Sequence, residues 1–201
     1  MRRLWVVVAL GLVACQSKTE QQPADAASAP TAEKGAAPAP GSPEAKIASA
    51  VSAAPAEIGA NATIVDWDGN PKDKPVVLRQ GTNEWTCFAD IIATPEPDPV
   101  CADKTTSEWF DAYMAKQPPK IATIGVAYML KGDAGTSETD PFATGPTPDN
   151  KWHKQGPHTM VFLPDPKQLD AMSTDHTTGA PYVMWKGTPY AHVMLPLGEG
   201  K

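Results

Sequence analysis

Residues 182–195 read YVMWKGTPYAHVML, and residues 158–163 read HTMVFL. Both are rich in β-branched and aromatic residues, and the first is divided by Lys186-Gly187-Thr188-Pro189, a turn composition. The spacing predicts a terminal hairpin turning through residues 186–189, in which Trp185 pairs with Tyr190 and Val183 with His192. The strand at 158–163 is expected beside it. Outward from this pair, residues 121–130 predict a buried strand. Residues 62–66 and 75–79 predict two strands around an Asp68-Gly69-Asn70-Pro71 turn, and 83–88 is a β-leaning aromatic run. One helix is expected, opened by the capping box Thr105-x-x-Glu108, with Trp109, Phe110, Tyr113 and Met114 on one face and Pro118-Pro119 as its stop. A second, short helix is expected near 166–172, and residues 132–156 read as a long polar loop. Asp140-Pro141 and Asp165-Pro166 are turn or helix-entry pairs. No strand–helix–strand series repeats. The fold class is therefore α+β: a single small domain with a mainly antiparallel sheet, one or two short helices and long Pro-rich loops, preceded by a disordered tether.

The 201 residues include 22 Pro and 15 Gly, which excludes a fold dominated by long helices. The aromatic residues set the boundaries. Trp67 is the first aromatic residue after Trp5, and all four Tyr and all four Phe lie beyond residue 58. Residues 59–201 are thus the expected globular head. Residues 15–58 are Ala- and Pro-rich and cannot offset their ordering entropy by burial, so they are expected to form a disordered tether. Within it, residues 43–54 (PEAKIASAVSAA) have the composition of a marginal Ala-rich helix.

Residues 1–15 read MRRLWVVVALGLVAC. Arg2 and Arg3 form a positive start, and residues 4–14 form an apolar run of signal-peptide length, too short to span a bilayer. The ending Leu12-Val13-Ala14-Cys15 resembles the lipobox of bacterial lipoproteins. That resemblance implies cleavage of a signal peptide at 1–14 and acylation of Cys15. With Gln16 rather than Asp next in line, it implies residence in the outer membrane, facing the periplasm. Several acyl chains make such an anchor stable.

A formal charge of −6 and a pI near 5.2 exclude a nucleic-acid binder, whose phosphate contacts need clustered Lys and Arg. The expected partners are the membrane, through the lipidated N-terminus, and an envelope protein or small ligand. Cys87 and Cys101 lie in an exported domain and enclose a loop bearing Pro95, Pro97 and Pro99, so a disulfide between them is expected. A metal-binding Cys pair is the alternative.

Catalytic signatures are missing: the chain has no G-x-S-x-G, H-E-x-x-H, Walker or G-x-G-x-x-G motif. Ser107 stands at a helix start, where capping accounts for it. Asp66-x-Asp68-Gly69-Asn70 lacks the later Glu of a calcium loop and reads as a turn. No catalytic residue and no cofactor is assigned, and the leading expectation is a disulfide-stapled binding or structural module. One feature stands apart. His158-Thr159-Met160 and His192-Val193-Met194 are two H-x-M pairs on expected strands, where period-2 geometry puts each His and Met on one face. With Trp185 nearby, imidazole and thioether would suit Cu(I), so periplasmic copper or soft-metal binding is the alternative function. Ordinary core packing explains the same residues. A hydrolase or lyase using His153, His158 or His176 around the long loop is a second alternative.

Gly81 to Cys87 (GTNEWTC), Asp98 to Cys101 (DPVC), Thr139 to Thr144 (TDPFAT), Gly156 to Met160 (GPHTM) and Pro181 to Tyr190 (PYVMWKGTPY) together resemble a family of uncharacterised exported bacterial proteins. The resemblance implies that these segments form one unit, and it brings no activity.

Overall fold

The computed structural model describes residues 37–67, 74–90 and 94–198. The expected signal peptide, Cys15 and the tether as far as residue 36 lie outside the described residues, as does the 68–71 turn. Residues 37–201 form one compact unit. The elements run α1 (Pro43–Val51), α2 (Ala56–Gly59), β1 (Thr63–Asp66), β2 (Val76–Arg79), β3 (Thr86–Phe88), β4 (Val100–Ala102), α3 (Lys104–Met114), β5 (Gly125–Met129), β6 (Thr136–Ser137), β7 (Trp152–His153), β8 (His158–Phe162), β9 (Tyr182–Met184) and β10 (His192–Pro196). Eight strands make one sheet in the order β2-β1-β3-β4-β5-β8-β10-β9, while β6 and β7 make a separate pair. All neighbours are antiparallel except β1 and β3. This is the expected α+β class with a mainly antiparallel sheet.

Strand alternation sorts the core onto two faces. Ala102, Ala127, Met160, Phe162, Met184 and Met194 face α3, whose Trp109 sits at the centre of the cluster. Trp109 meets Phe162 at 4.6 Å, Tyr113 at 5.6 Å, Tyr190 at 6.0 Å and Trp185 at 6.4 Å between ring centroids. Ile64, Cys87 and Cys101 point the other way, where α1 covers them. Cys87 and Cys101 are register partners across β3 and β4 and form the expected disulfide.

Three expectations need correction. The tether does not extend to residue 58: α1 and α2 belong to the folded unit. Ala50 and Ala53 are fully buried against the sheet, Lys46 Nζ pairs with Asp66 Oδ2 at 2.5 Å, and Ala53 O accepts from the Leu130 N–H. The same small residues that read as disordered composition let the helix sit close to the strands. The two helices also pack closely on each other, since a Cβ at Gly59 in α2 would stand 2.5 Å from the carbonyl oxygen of Val51 in α1. Second, α3 is capped by Asp103, which accepts from Thr106 N–H at 2.7 Å, rather than by a Thr105/Glu108 box. Asp103 also holds the β5 backbone through Val126 N–H, a tertiary tie that local spacing does not report. Ser107 Oγ donates to the Asp103 carbonyl. Third, the hairpin register is shifted by one residue: His192 opposes Met184, and Val193 opposes Val183.

Candidate functional site

Residues 132–156 are ordered by side chains, because two strands of two residues cannot fix themselves. Asp133 Oδ1 accepts from the N–H groups of Gly135 and Gln155, each at 2.9 Å, and closes the base of the β6–β7 pair. Gly135 has φ of 107°, and a Cβ there would stand 2.6 Å from Trp152 Nε1. Ser137 Oγ donates to the Asn150 carbonyl at 2.7 Å. Trp185 then ties the pair to the main sheet. Its Nε1 donates to Ser137 O at 2.7 Å and its backbone N–H to Glu138 O at 3.0 Å. Trp185 takes a left-handed φ of 53°, which ends the β9 alternation and turns the indole onto the face of Met184. Trp185 and His192 therefore meet, at 5.0 Å between rings, as expected from the sequence but through a different register.

This arrangement borders a cleft of about 490 Å³ lined by His153, Gln155, His158, His176, Tyr182 and Met194 among others. Glu138, only 5% exposed, stands behind the lining residues His153 and Tyr182. Glu138 Oε1 is 3.3 Å from His153 Nδ1. The Tyr182 hydroxyl faces both Glu138 Oε1 at 3.4 Å and Gln155 Oε1 at 3.2 Å, and its single proton serves one of them at a time. The His153 and His176 rings stack at 3.8 Å with 12° between planes. One donor atom each from Glu138, His153 and His176 falls within 4.8 Å of the other two. Glu138 Oε2 and His153 Nδ1 are buried with no hydrogen-bond partner.

Burial governs the protonation of this cluster. It pushes Glu138 up to about 7, with a further push from Asp133 and an opposing hydrogen bond from Tyr182. Burial also raises Asp133. His153 is lowered by burial and then by the neighbouring His176. Near neutral pH the His153–Glu138 contact therefore joins a neutral imidazole to a carboxyl that is about half protonated, and it is not an ion pair. His158 is lowered by burial too, and its Nδ1 lies 2.8 Å from the Gly156 carbonyl. A carbonyl only accepts, so Nδ1 carries the proton and Nε2 keeps its lone pair.

The H-x-M residues share one face, as their spacing predicts. Met160 and Met194 are direct partners across β8 and β10. His158 opposes Pro196 at one end of this face, and the register sets His192 beside Phe162 at the other, so the two backbone positions are four residues apart along the strands, about 13 Å between their Cα atoms in that direction. Antiparallel pairing brings the two Met together and carries the two His apart. His192 is enclosed by Trp109, Phe162 and Trp185, with Nδ1 on the Tyr190 carbonyl at 3.0 Å and Nε2 buried without a partner.

The three histidines considered with the long loop, His153, His158 and His176, are brought to one cleft, whereas His192 is a core residue. Glu138, Asp133, Gln155 and Tyr182 carry no signal in the sequence, since an acid in a polar loop is ordinarily solvated. Comparison of the chain with protein-family models, with curated proteins and with solved structures gives no match.

Proposed function

We propose that the protein is a bacterial envelope lipoprotein, anchored through Cys15 in the outer membrane and facing the periplasm, whose disulfide-stapled head is a binding module with the histidine cleft as its site. The lipobox-like ending at Cys15 supports the anchor. The observation that carries the binding reading is Glu138. Its Oε2 is kept dry and unpaired beside an equally unpaired His153 Nδ1, facing groups that a bound ligand would satisfy. Each such orphan costs about 1–3 kcal/mol. Functional sites are where folds commonly retain such a cost, and here two orphans adjoin beside a cleft.

Replacing Glu138 by Leu tests the reading without knowledge of the ligand. Tyr182 keeps Gln155 as its acceptor in the variant, and besides the unpaired Oε2 only the long 3.3 Å contact of Oε1 with His153 Nδ1 is given up. The head should become more stable by about 1 kcal/mol in chemical denaturation, by removal of that orphan. A loss of stability would make Glu138 a structural strut and end the binding reading. For the anchor, Cys15→Ala should abolish labelling by a fatty-acid probe and release the chain from membranes. Persistent labelling would refute it.

A further inference from the structure

We infer that the cleft binds a divalent first-row transition ion of the zinc(II) type on Glu138, His153 and His176. This rests on the binding-module reading and names its ligand. The donor set is two imidazoles and one carboxylate, the borderline nitrogen and oxygen set that zinc takes with three protein ligands. Its three donors are imidazole and carboxylate, a different set from the imidazole and thioether of a Cu(I) site built on Met160 and Met194.

Two of the three donors already have the spacing an ion requires, whereas the His176 ring, stacked on His153 at 3.8 Å with 12° between planes, must turn out of the stack, because lone pairs in parallel rings do not converge on one point. With bonds of about 2.0–2.2 Å, donors around a tetrahedral ion stand roughly 3.4 Å apart. Glu138 Oε1 and His153 Nδ1 are at 3.3 Å. The whole set spans no more than 4.8 Å, so the remaining closure, at most about 1.4 Å, falls to His176. That residue is the one suited to move. It lies in a three-residue 3-10 turn, His176–Thr178, which ends at Gly179 with φ of 72°. The neighbouring residues 173–175 and 177–180 are exposed. Glu138 and His153, by contrast, are held on the β6–β7 pair and by Trp185.

The second observation is independent of this proximity. Glu138 is 5% exposed, and its Oε2 has no partner in the protein. The 3.3 Å spacing to His153 Nδ1 is that of Oε1, so an ion held there would satisfy Oε2 by taking the carboxylate through both oxygens, together with the lone pair on His153 Nδ1. Tyr182 and Gln155 stand behind the carboxylate, as outer groups do around a metal ligand. Three protein ligands leave a fourth position for water or a small anion, and His176 and His153 both line the open cleft.

The test is calorimetric titration of the chelator-stripped, detergent-solubilised full mature chain with zinc sulfate. One ion per chain is expected. Glu138→Gln and His176→Ala should each weaken binding about tenfold or more. Met160→Leu with Met194→Leu should leave it unchanged. Cobalt(II) substitution gives a second readout, with the intense visible bands of a tetrahedral site, lost in Glu138→Gln. His176→Ala alters an exposed turn, and an unchanged melting curve in chelator certifies its fold. Absence of zinc binding, or binding indifferent to both Glu138→Gln and His176→Ala, overturns the inference. If zinc fails to bind while Glu138→Leu still stabilises the head, the metal assignment falls and the binding cleft stands. If Glu138→Leu destabilises the metal-free head, the binding reading itself fails.

Discussion

Trp185 hangs Glu138 from the main sheet: its backbone N–H bonds the Glu138 carbonyl at 3.0 Å, while its indole N–H bonds the preceding carbonyl, that of Ser137, at 2.7 Å. A left-handed φ in a bulky residue costs about 1–3 kcal/mol, and the packing of the indole offsets it. Tyr113 stacks on the ring at 5.4 Å. The strained residue is thus the joint between the aromatic core and the carboxylate of the cleft.

Trp185→Phe should separate these two duties. The phenyl ring keeps most of the aromatic packing, but the Ser137 carbonyl loses its donor in a buried setting. A cost of about 1–3 kcal/mol is expected in urea denaturation. Trp185 also acts as a positioning residue for Glu138, so zinc affinity should fall in the folded variant. Full stability with unchanged affinity would show that the indole hydrogen bond holds nothing.

Burial drives the folded pKa of His192 down to about 4, against 6.5 when it is solvated. The group is neutral in the folded protein, so its contribution is fully present above pH 6.5. It is lost as pH falls from 6.5 towards 4, because the unfolded chain takes up the proton first. The difference amounts to about 3 kcal/mol. Glu138 has the opposite sign. Its raised pKa favours the fold below the usual carboxylate range and costs stability as pH rises through about 7. The clean measurement is therefore the difference between the parent and His192→Leu in denaturation from pH 7.5 to 4. The variant should show a slope shallower by up to about one proton between pH 6.5 and 4. Parallel curves would contradict the assignment.

The disulfide predicts a null result in one assay and a shift in another. Cys87 and Cys101 are fully buried beneath α1. The denatured but unreduced head should therefore present no free thiol to a thiol reagent. Reduction should lower unfolding stability by about 3 kcal/mol, the value for closing a loop of this size. Two titratable thiols would refute the bond.

The strands were legible because alternation is local. HTMVF and the H-x-M spacing announce one buried face each, and both lie where that pattern puts them. The register of the last hairpin was not, because Trp185 leaves β geometry one residue before the expected turn, and nothing about a Trp signals a positive φ. The cleft was half legible. Its histidines stand out by scarcity, since the chain has only four. Asp133 and Glu138 do not, because their burial is created by Gln155, Tyr182 and Trp185, which are distant in sequence. Alanine misled for a simpler reason: composition cannot distinguish a tether from a helix whose methyl groups face a sheet.

The buried Ala50, Ala53 and Ala54 make the domain boundary testable. A head starting at residue 59, as aromatic content alone would suggest, lacks α1 and α2. Ile64, Cys87 and Cys101 would then be uncovered. Baring this face removes the contacts of Ile47, Ala50, Val51, Ala53 and Ala54 and should cost several kcal/mol, at about 25 cal/mol per Å² of apolar surface exposed. A domain of this size has a total stability of about 5–15 kcal/mol, so such a loss leaves it marginal or unfolded. A head starting at residue 37 retains both helices and should melt cooperatively, at the same temperature as the full mature chain. Within it, Ala53→Asp should be as damaging as the truncation, because it buries an unpaired carboxylate where the exposure is zero. Circular dichroism melts of the two truncations and the point variant decide the matter. If the head starting at 59 melts like the one starting at 37, α1 contributes nothing to the fold, and the boundary returns to residue 58.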